Sequence, residues 1–265
     1  MHSLLKHASK ADLCTDPFPY VVIDGALDES LYAALEREYP FEERIDGYSG
    51  YANNTRYQIS AVDGLRGNRL TPLWKEFVAY HTSAPFLADV CTLFAKPLST
   101  LYPHFSPTQH TGVRFRDEAA DVWLDCQPGI NSPVNVVSSV KGPHIDHPNE
   151  LYAGLLYFRD PSDTSTGSEL QIYRTLRPPQ FYGQRFVRDQ YVEEVARVAY
   201  APNRSVLFLN SILSIHGVSP RSRTQYTRRL TNIIGEVDGA PLFEIPQEPT
   251  YVSRVRQLVK SLTSR

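Results

Sequence analysis

The sequence predicts a mainly β protein with some α-helix, in which N-terminal helices brace a double-stranded β-helix, or jelly roll. From about residue 120 onwards, short apolar runs alternate with turn residues, a pattern typical of sandwiches and barrels. The chain also has 20 prolines, 16 tyrosines and 12 phenylalanines but one methionine. That composition favours short strands with irregular connections over a helical bundle.

The length of 265 residues suits one sizeable domain, and no linker-like segment divides the chain. We expect a single domain over residues 1–265. Its parts are an N-terminal strand with supporting helices over 1–119, the jelly-roll core over 120–237 and a tail with a helix over 238–265. Within the tail, 251–259 has the pattern of a surface amphipathic helix.

The N-terminal half predicts one strand, three helices and an irregular region. The β-branched run Tyr20–Ile23 predicts the strand, and apolar residues at helical spacing predict a helix that ends before Pro40. Region 41–69 has no sustained period, which indicates loops with a short strand around Arg56–Ile59. Apolar spacing between residues 71 and 97 predicts two helices that break near Ser83.

The second half predicts eight strands, the number that a double-sheet jelly roll needs. They are Val122–Cys126, Gly142–His147, Leu151–Arg159, Glu169–Arg174, Val192–Tyr200, Ser205–Ser211, Ile215–Pro220 and Arg229–Val237. The insertion Thr175–Asp189 is longer than most loops of compact domains, and such loops often cover binding sites.

Charge and cysteine content exclude several functional classes. The formal net charge of −2 gives no bulk attraction to phosphate backbones, so a dedicated nucleic-acid binder is disfavoured. Three widely spaced cysteines resemble neither a disulfide framework nor a zinc site, which favours a reducing, cytoplasmic setting. No window of about 18 apolar residues occurs, so no membrane span is expected.

One short motif points to a metal site. On an extended strand, His144 and Asp146 point to the same face because side chains alternate between faces. His216 follows an apolar run that can return it to the first pair, which predicts a set of three ligands. Two imidazoles and one carboxylate on one side of a metal are typical of non-haem Fe(II) oxygenases, although Zn and Mn accept the same ligands.

Several segments in this order resemble the Fe(II)- and 2-oxoglutarate-dependent oxygenases, particularly their prolyl-4-hydroxylase-like branch. The resemblance covers most of the chain. It rests on Pro17–Asp24, His144-x-Asp146, the strand Leu155–Phe158, the turn Gly167–Leu170 and His216–Pro220 with arginines downstream.

The resemblance implies that His144, Asp146 and His216 are catalytic residues that hold Fe(II), with 2-oxoglutarate and O2 as co-substrates. It also implies an arginine on the last core strand for the distal carboxylate of 2-oxoglutarate, since a guanidinium matches a carboxylate bidentately. Arg228 and Arg229 both qualify. We prefer Arg229, because Thr231 would share its face and donate a hydroxyl to the same carboxylate.

Two further residues are weaker candidates for the co-substrate site. Gln127 and Tyr157 lie on or beside strands that would line the sheet interior, where either could hydrogen-bond 2-oxoglutarate or a ligated carboxylate. Each is equally compatible with an ordinary core position.

The expected function is a dioxygenase that hydroxylates an unactivated C–H bond of a small or amino-acid-like molecule and releases succinate and CO2. Halogenases that resemble this family have Gly or Ala in place of the carboxylate, whereas this chain has Asp146. Two alternatives stay open. One is the same chemistry on a peptide or nucleic acid, and the other is a non-catalytic cupin-like scaffold.

Overall fold

A computed structural model describes residues 3–44, 51–116, 119–178 and 185–246. The strands are β1 Tyr20–Asp24, β2 Arg56–Gln58, β3 Thr111–Val113, β4 Val122–Asn131, β5 Glu150–Tyr157, β6 Leu170–Thr175, β7 Val192–Val198, β8 Arg204–Leu209, β9 His216–Val218 and β10 Arg228–Val237. The α-helices are α1 Glu29–Arg37, α2 Ala61–Arg66, α3 Pro72–His81, α4 Ala84–Leu93 and α5 Ala95–Leu101.

Two sheets face each other. In the larger one, seven strands of the described residues run in the order β1-β8-β5-β10-β4-β2, with β3 beside β4. The smaller has the order β7-β6-β9, and isolated bridges join His144 to His216 of β9 and to Phe186. The predicted jelly roll is confirmed, because the segment around His144 completes the smaller sheet opposite β8, β5, β10 and β4.

The larger sheet has two different faces. Its outer face packs against the helices in one large apolar cluster that includes Trp74, Phe77, Leu156 and Ile233. Its inner face contributes a second cluster that lies between the sheets, with Leu155 and Leu230 among its members. Side chains alternate along each strand, so neighbouring residues of β10 belong to different clusters.

Local sequence signals explain where the bracing helices begin. The Thr71 hydroxyl accepts a hydrogen bond from the Trp74 amide at 3.4 Å, and Pro72 occupies the first turn of α3, where a missing N–H costs nothing. Further along, the indole N–H of Trp74 donates to the Leu35 carbonyl at 3.0 Å and joins α3 to α1.

Several predictions of individual elements are confirmed and others are wrong. The strand near residue 20, the helix before Pro40 and the two helices that break near Ser83 are confirmed. Gly142–His147 is not a regular strand, because it pairs through single bridges at His144. The short elements α2, α5 and β3 were not predicted, since they are too short to show a period.

The predicted tail helix over 251–259 lies outside the described residues, as does part of the insertion Thr175–Asp189. No helix in the described part of the chain is both long enough and apolar enough to span a membrane.

Candidate metal centre

Three side chains from two segments meet between the sheets. One ligand atom from each of His144, Asp146 and His216 lies within 4.8 Å of the others. The Nε2 atoms of His144 and His216 are 3.5 and 3.4 Å from different oxygens of Asp146. The predicted convergence of these residues is confirmed, although 70 residues of chain separate its two halves.

The backbone orients both imidazoles. Nδ1 of His144 lies 2.7 Å from the Gly142 carbonyl, and Nδ1 of His216 lies 2.9 Å from the Ser214 carbonyl. A carbonyl oxygen only accepts, so each Nδ1 carries the proton and each Nε2 keeps its lone pair. A hydrogen bond on the distal nitrogen is the usual way in which proteins fix a histidine ligand.

Asn210, buried just after β8, ties the two ligand-bearing segments together. Its amide nitrogen donates to the carbonyls of His147 and Glu150, at 2.8 and 3.0 Å. Its Oδ1 accepts a hydrogen bond from the Ser214 hydroxyl at 2.9 Å. One side chain therefore fixes the distance between the segment after Asp146 and the segment before His216.

The protonation states suit a metal. Burial lowers the pKa of His144 and lowers that of His216 to about 4, so both rings are neutral at pH 7. Burial alone would raise the pKa of Asp146, yet the neighbouring His216, His144 and Lys141 bring it below the ordinary value. Neutral imidazoles and an ionised carboxylate are the forms that bind metal ions.

Two arginines lie on the inner face of the larger sheet. Arg56 of β2 and Arg228 of β10 are both paired in register with Asn131 of β4, so the three side chains point to the same face. Arg228 is fully buried between the rings of Tyr157 and Tyr200, with its guanidinium carbon 5.1 and 5.2 Å from the two centroids. Its NH1 donates to Asn131 Oδ1 at 3.2 Å.

These groups have hydrogen-bonding capacity that the described residues do not use. Nε of Arg56, Nε and NH2 of Arg228, Nδ2 of Asn131 and the Tyr157 hydroxyl are buried without a hydrogen-bond partner in the described part of the chain. Burial and the nearby Arg228 lower the pKa of Arg56 to about 10, which leaves it charged at pH 7. Two cations without a carboxylate partner make a site for an anion.

Arg229 and Thr231 were predicted to point to the inner face of the sheet and bind the carboxylate of 2-oxoglutarate. That prediction of strand face is wrong by one residue. Arg229 points to the helices, where its guanidinium carbon lies 5.0 Å from the Tyr39 ring centroid and NH2 is 3.6 Å from Glu36. Thr231 shares that outer face. The inner face carries Arg228, Leu230 and Asn232, because β10 pairs regularly with β4 throughout its length.

Gln127 and Tyr157 both lie on the inner face, as expected. The Gln127 amide donates to Asp125, and its Oε1 accepts from Asn232 at 3.2 Å, so both ends of the side chain are engaged. Tyr157 is different, because its hydroxyl is among the unpartnered groups beside Arg228.

A cavity of about 360 Å³ connects the triad to this inner face. Its lining includes the triad, Arg56, Asn232 and Glu150 of the larger sheet, and also Lys141 and Arg185. The volume lies within the range of about 300–1,000 Å³ that is usual for small-molecule sites. A groove of about 670 Å³ near Phe18 and Pro97 is larger, but among the described residues no acidic, histidine or cysteine side chain lines it.

Sequence reasoning missed Arg56, Lys141, Asn210 and Glu150. Lys141 Nζ lies 3.5 Å from Asp146 Oδ1, and its position three residues before His144 was the available signal. Arg56 had none, since only the pairing of β2 with β4 brings it beside Arg228.

Solved structures with a similar fold include 2-oxoglutarate- and Fe(II)-dependent oxygenases. A prolyl 4-hydroxylase from Phytophthora capsici matches with 19% identity and a TM-score of 0.40, over 83% of this chain and 59% of that chain. A Pseudomonas putida prolyl-4-hydroxylase matches with 13% identity and a TM-score of 0.44, over 83% and 93%. A Burkholderia pseudomallei oxidoreductase of the 2OG-Fe(II) oxygenase family matches with 14% identity and a TM-score of 0.46, over 86% of this chain and 88% of that chain.

The chain thus spans less than two thirds of the Phytophthora enzyme and most of the two bacterial proteins. No protein-family model matches the chain, and no curated protein sequence matches it significantly. Similarity at these TM-scores does not determine function, so function must be inferred from the side chains of the site itself.

Proposed function

We propose that this protein is an Fe(II)- and 2-oxoglutarate-dependent oxygenase that hydroxylates a small molecule. The observation that carries the proposal is a His-Asp-His triad that shares one cavity with Arg56, whose neighbour on the same sheet face is the unpartnered Arg228. Either group alone has other uses. Together they could hold a metal ion and a dicarboxylate side by side.

The triad fits iron by its donor atoms and by its openness. His144, Asp146 and His216 offer two neutral nitrogens and one carboxylate from one side, and the cavity lies on the other. A structural metal site would instead surround the ion with protein ligands. When bound, Fe(II) would supply the oxidising chemistry that couples decarboxylation of 2-oxoglutarate to attack on a C–H bond.

Arg228 and Arg56 support the assignment of 2-oxoglutarate as co-substrate. A carboxylate at this position accepts from guanidinium N–H groups that have no other partner in the described residues. The Tyr157 hydroxyl and Asn131 Nδ2 add two more donors beside them. Tyr157 and Tyr200 pack against Arg228 and exclude water, which strengthens its attraction for an anion.

The cavity volume of about 360 Å³ favours a small molecule over a macromolecule. Gly154, Leu155 and Phe208 form apolar parts of its lining. Asp146 is retained as a ligand, which supports hydroxylation as the outcome.

Anaerobic addition of Fe(II) and then 2-oxoglutarate to the metal-free protein tests the proposal. We expect a visible metal-to-ligand absorption band that needs both components, and on admission of oxygen the release of succinate in step with CO2. Zn(II) in place of Fe(II) is the control and should give neither. Tight metal binding with no band and no 2-oxoglutarate-dependent succinate would contradict the oxygenase and favour a cupin-like scaffold.

A further inference from the structure

Glu150 is the one acidic side chain in the described lining of the cavity that is neither a proposed metal ligand nor paired. In β5, Tyr152 is paired with Gly235 of β10 but Glu150 is paired with Glu236, so Leu151 is an extra residue in the ladder. Both Leu151 and Tyr152 are buried in the apolar cluster on the helix side. This bulge reverses the alternation and turns Glu150 into the cavity, as bulges beside functional sites often do.

The backbone holds Glu150 firmly while its carboxylate remains free. Its amide donates to the His147 carbonyl at 2.8 Å, and its carbonyl accepts from Asn210 at 3.0 Å. No hydrogen bond or ion pair to its side chain occurs within the described ranges. Burial, followed by the charge of Asp146, raises the pKa of Glu150 to about 8. At pH 7 this carboxyl is therefore mostly protonated in the empty cavity, and a cation bound beside it would hold it ionised.

Two cations act on Glu150 by lowering its pKa, Arg114 and Lys141, and both have other partners. Arg185 also lines the cavity, near Lys141. Arg114 lies 2.8 Å from Glu236, which occupies the same end of the inner face. Lys141 lies 3.5 Å from Asp146. The inner face of the sheet is therefore polar along its length, with Arg56 and Arg228 at the end that pairs with Asn131 and Glu150 at the end that pairs with Glu236. If the arginine end takes the co-substrate, the primary substrate lies toward Glu150.

We propose that Glu150 determines substrate specificity by binding a protonated amine of the primary substrate. The substrate class is then small amines and amino acids with a C–H bond near the triad. This inference rests on the proposed function, because it assigns the arginine end of the cavity to 2-oxoglutarate.

The test uses the Mn(II)- and 2-oxoglutarate-loaded protein without oxygen, titrated with a panel of small amines and amino acids. Each amine is matched with the analogue in which a hydroxyl replaces the amino group. We expect at least one amine to bind roughly 10- to 100-fold more tightly than its hydroxyl analogue. This ratio of dissociation constants corresponds to the free energy of a charge-assisted hydrogen bond. The same amine should stimulate succinate release by the Fe(II) enzyme and gain one oxygen atom by mass spectrometry.

Glu150→Gln keeps the shape but cannot ionise when an amine binds, so it should abolish the preference for the amine. Its Fe(II)–2-oxoglutarate absorption band should stay unchanged. Glu76→Gln, an exposed position on α3, removes the same charge far from the cavity and should behave as the wild type.

The outcomes separate the two proposals. A missing absorption band in the wild type would overturn the oxygenase itself. A normal band would leave the oxygenase standing but overturn the role of Glu150 in any of three cases: no amine binds, hydroxyl analogues bind equally well, or Glu150→Gln retains the preference.

Discussion

Two adjacent arginines of β10 lie on opposite faces of the larger sheet and differ in whether their guanidinium groups have partners. On the helix side, Arg229 lies against Tyr39 and 3.6 Å from Glu36. On the cavity side, Arg228 is fully buried yet has two guanidinium nitrogens without a partner in the described residues. A buried charge without a partner is costly, so a face that retains one is arranged for a ligand. The helix side serves stability and the cavity side serves binding.

Removing a metal ligand gives the largest expected effect. His144→Ala, Asp146→Ala and His216→Ala should each lower 2-oxoglutarate turnover by at least about 1,000-fold, because the triad acts as a unit. Circular dichroism should show a folded protein. The matched control is His147→Ala, since His147 is exposed beside the triad and should leave turnover unchanged. Equal losses in the triad variants and in His147→Ala would contradict the assignment.

Acid should lower the stability of the fold through His81, which is buried among the helices. This buried ring accepts from the Leu4 amide at 3.1 Å through Nε2, while Nδ1 lies 2.8 Å from the Phe77 carbonyl. Burial lowers its pKa from 6.5 to about 4, so the folded state favours the neutral ring. The stability from His81 is full above pH 6.5. It is lost as pH falls from 6.5 through 4, by up to about 3 kcal/mol.

Urea unfolding between pH 7 and pH 4 measures this loss. His81→Gln keeps an acceptor for the Leu4 amide and cannot take up the proton, so its stability should fall less with acid. The triad histidines titrate in both proteins, and the difference between the two curves isolates His81. Parallel curves would show that His81 does not titrate as inferred.

The arginine pair tests the comparison directly. Arg228→Met should weaken 2-oxoglutarate binding roughly 10- to 100-fold, yet raise the melting temperature of the ligand-free protein, because an unpaired buried charge is replaced by an apolar chain. Arg229→Met should instead lower stability by about 1–3 kcal/mol and leave 2-oxoglutarate affinity unchanged. Calorimetric titration and thermal unfolding of both variants measure these effects. The reverse outcome would restore the original preference for Arg229.

A pair of tyrosines should give the smallest effect. The Tyr39 hydroxyl, on the helix side, lies 2.7 Å from the Gly129 carbonyl and 2.8 Å from that of Leu230, so Tyr39→Phe should cost about 1 kcal/mol of stability. The Tyr157 hydroxyl has no partner among the described residues. Tyr157→Phe should leave the unfolding midpoint unchanged and weaken 2-oxoglutarate binding several-fold. A stability loss in Tyr157→Phe similar to that in Tyr39→Phe would remove the distinction between the faces.

Much of the fold was predictable because the signals are local. Short apolar runs between turn residues identify β5 and β8, and apolar residues at helical spacing identify α3 and α4. The segment Gly142–His147 was predicted as a regular strand, but it pairs at His144 alone. The helix α2 was missed, because six residues around Gly64 are too few to establish a period.

The sequence by itself determined the metal-ligand candidates and the architecture, since residue type, spacing and strand alternation are properties of short segments. Tertiary structure decided which of the two adjacent arginines of β10 points to the inner face of the sheet. The face of a strand depends on its register with neighbours, and a shift of one residue reverses every side chain. Arg56 reaches the site through its pairing with β4, and Glu150 through a bulge opposite β10. Both positions arise from contacts between distant segments.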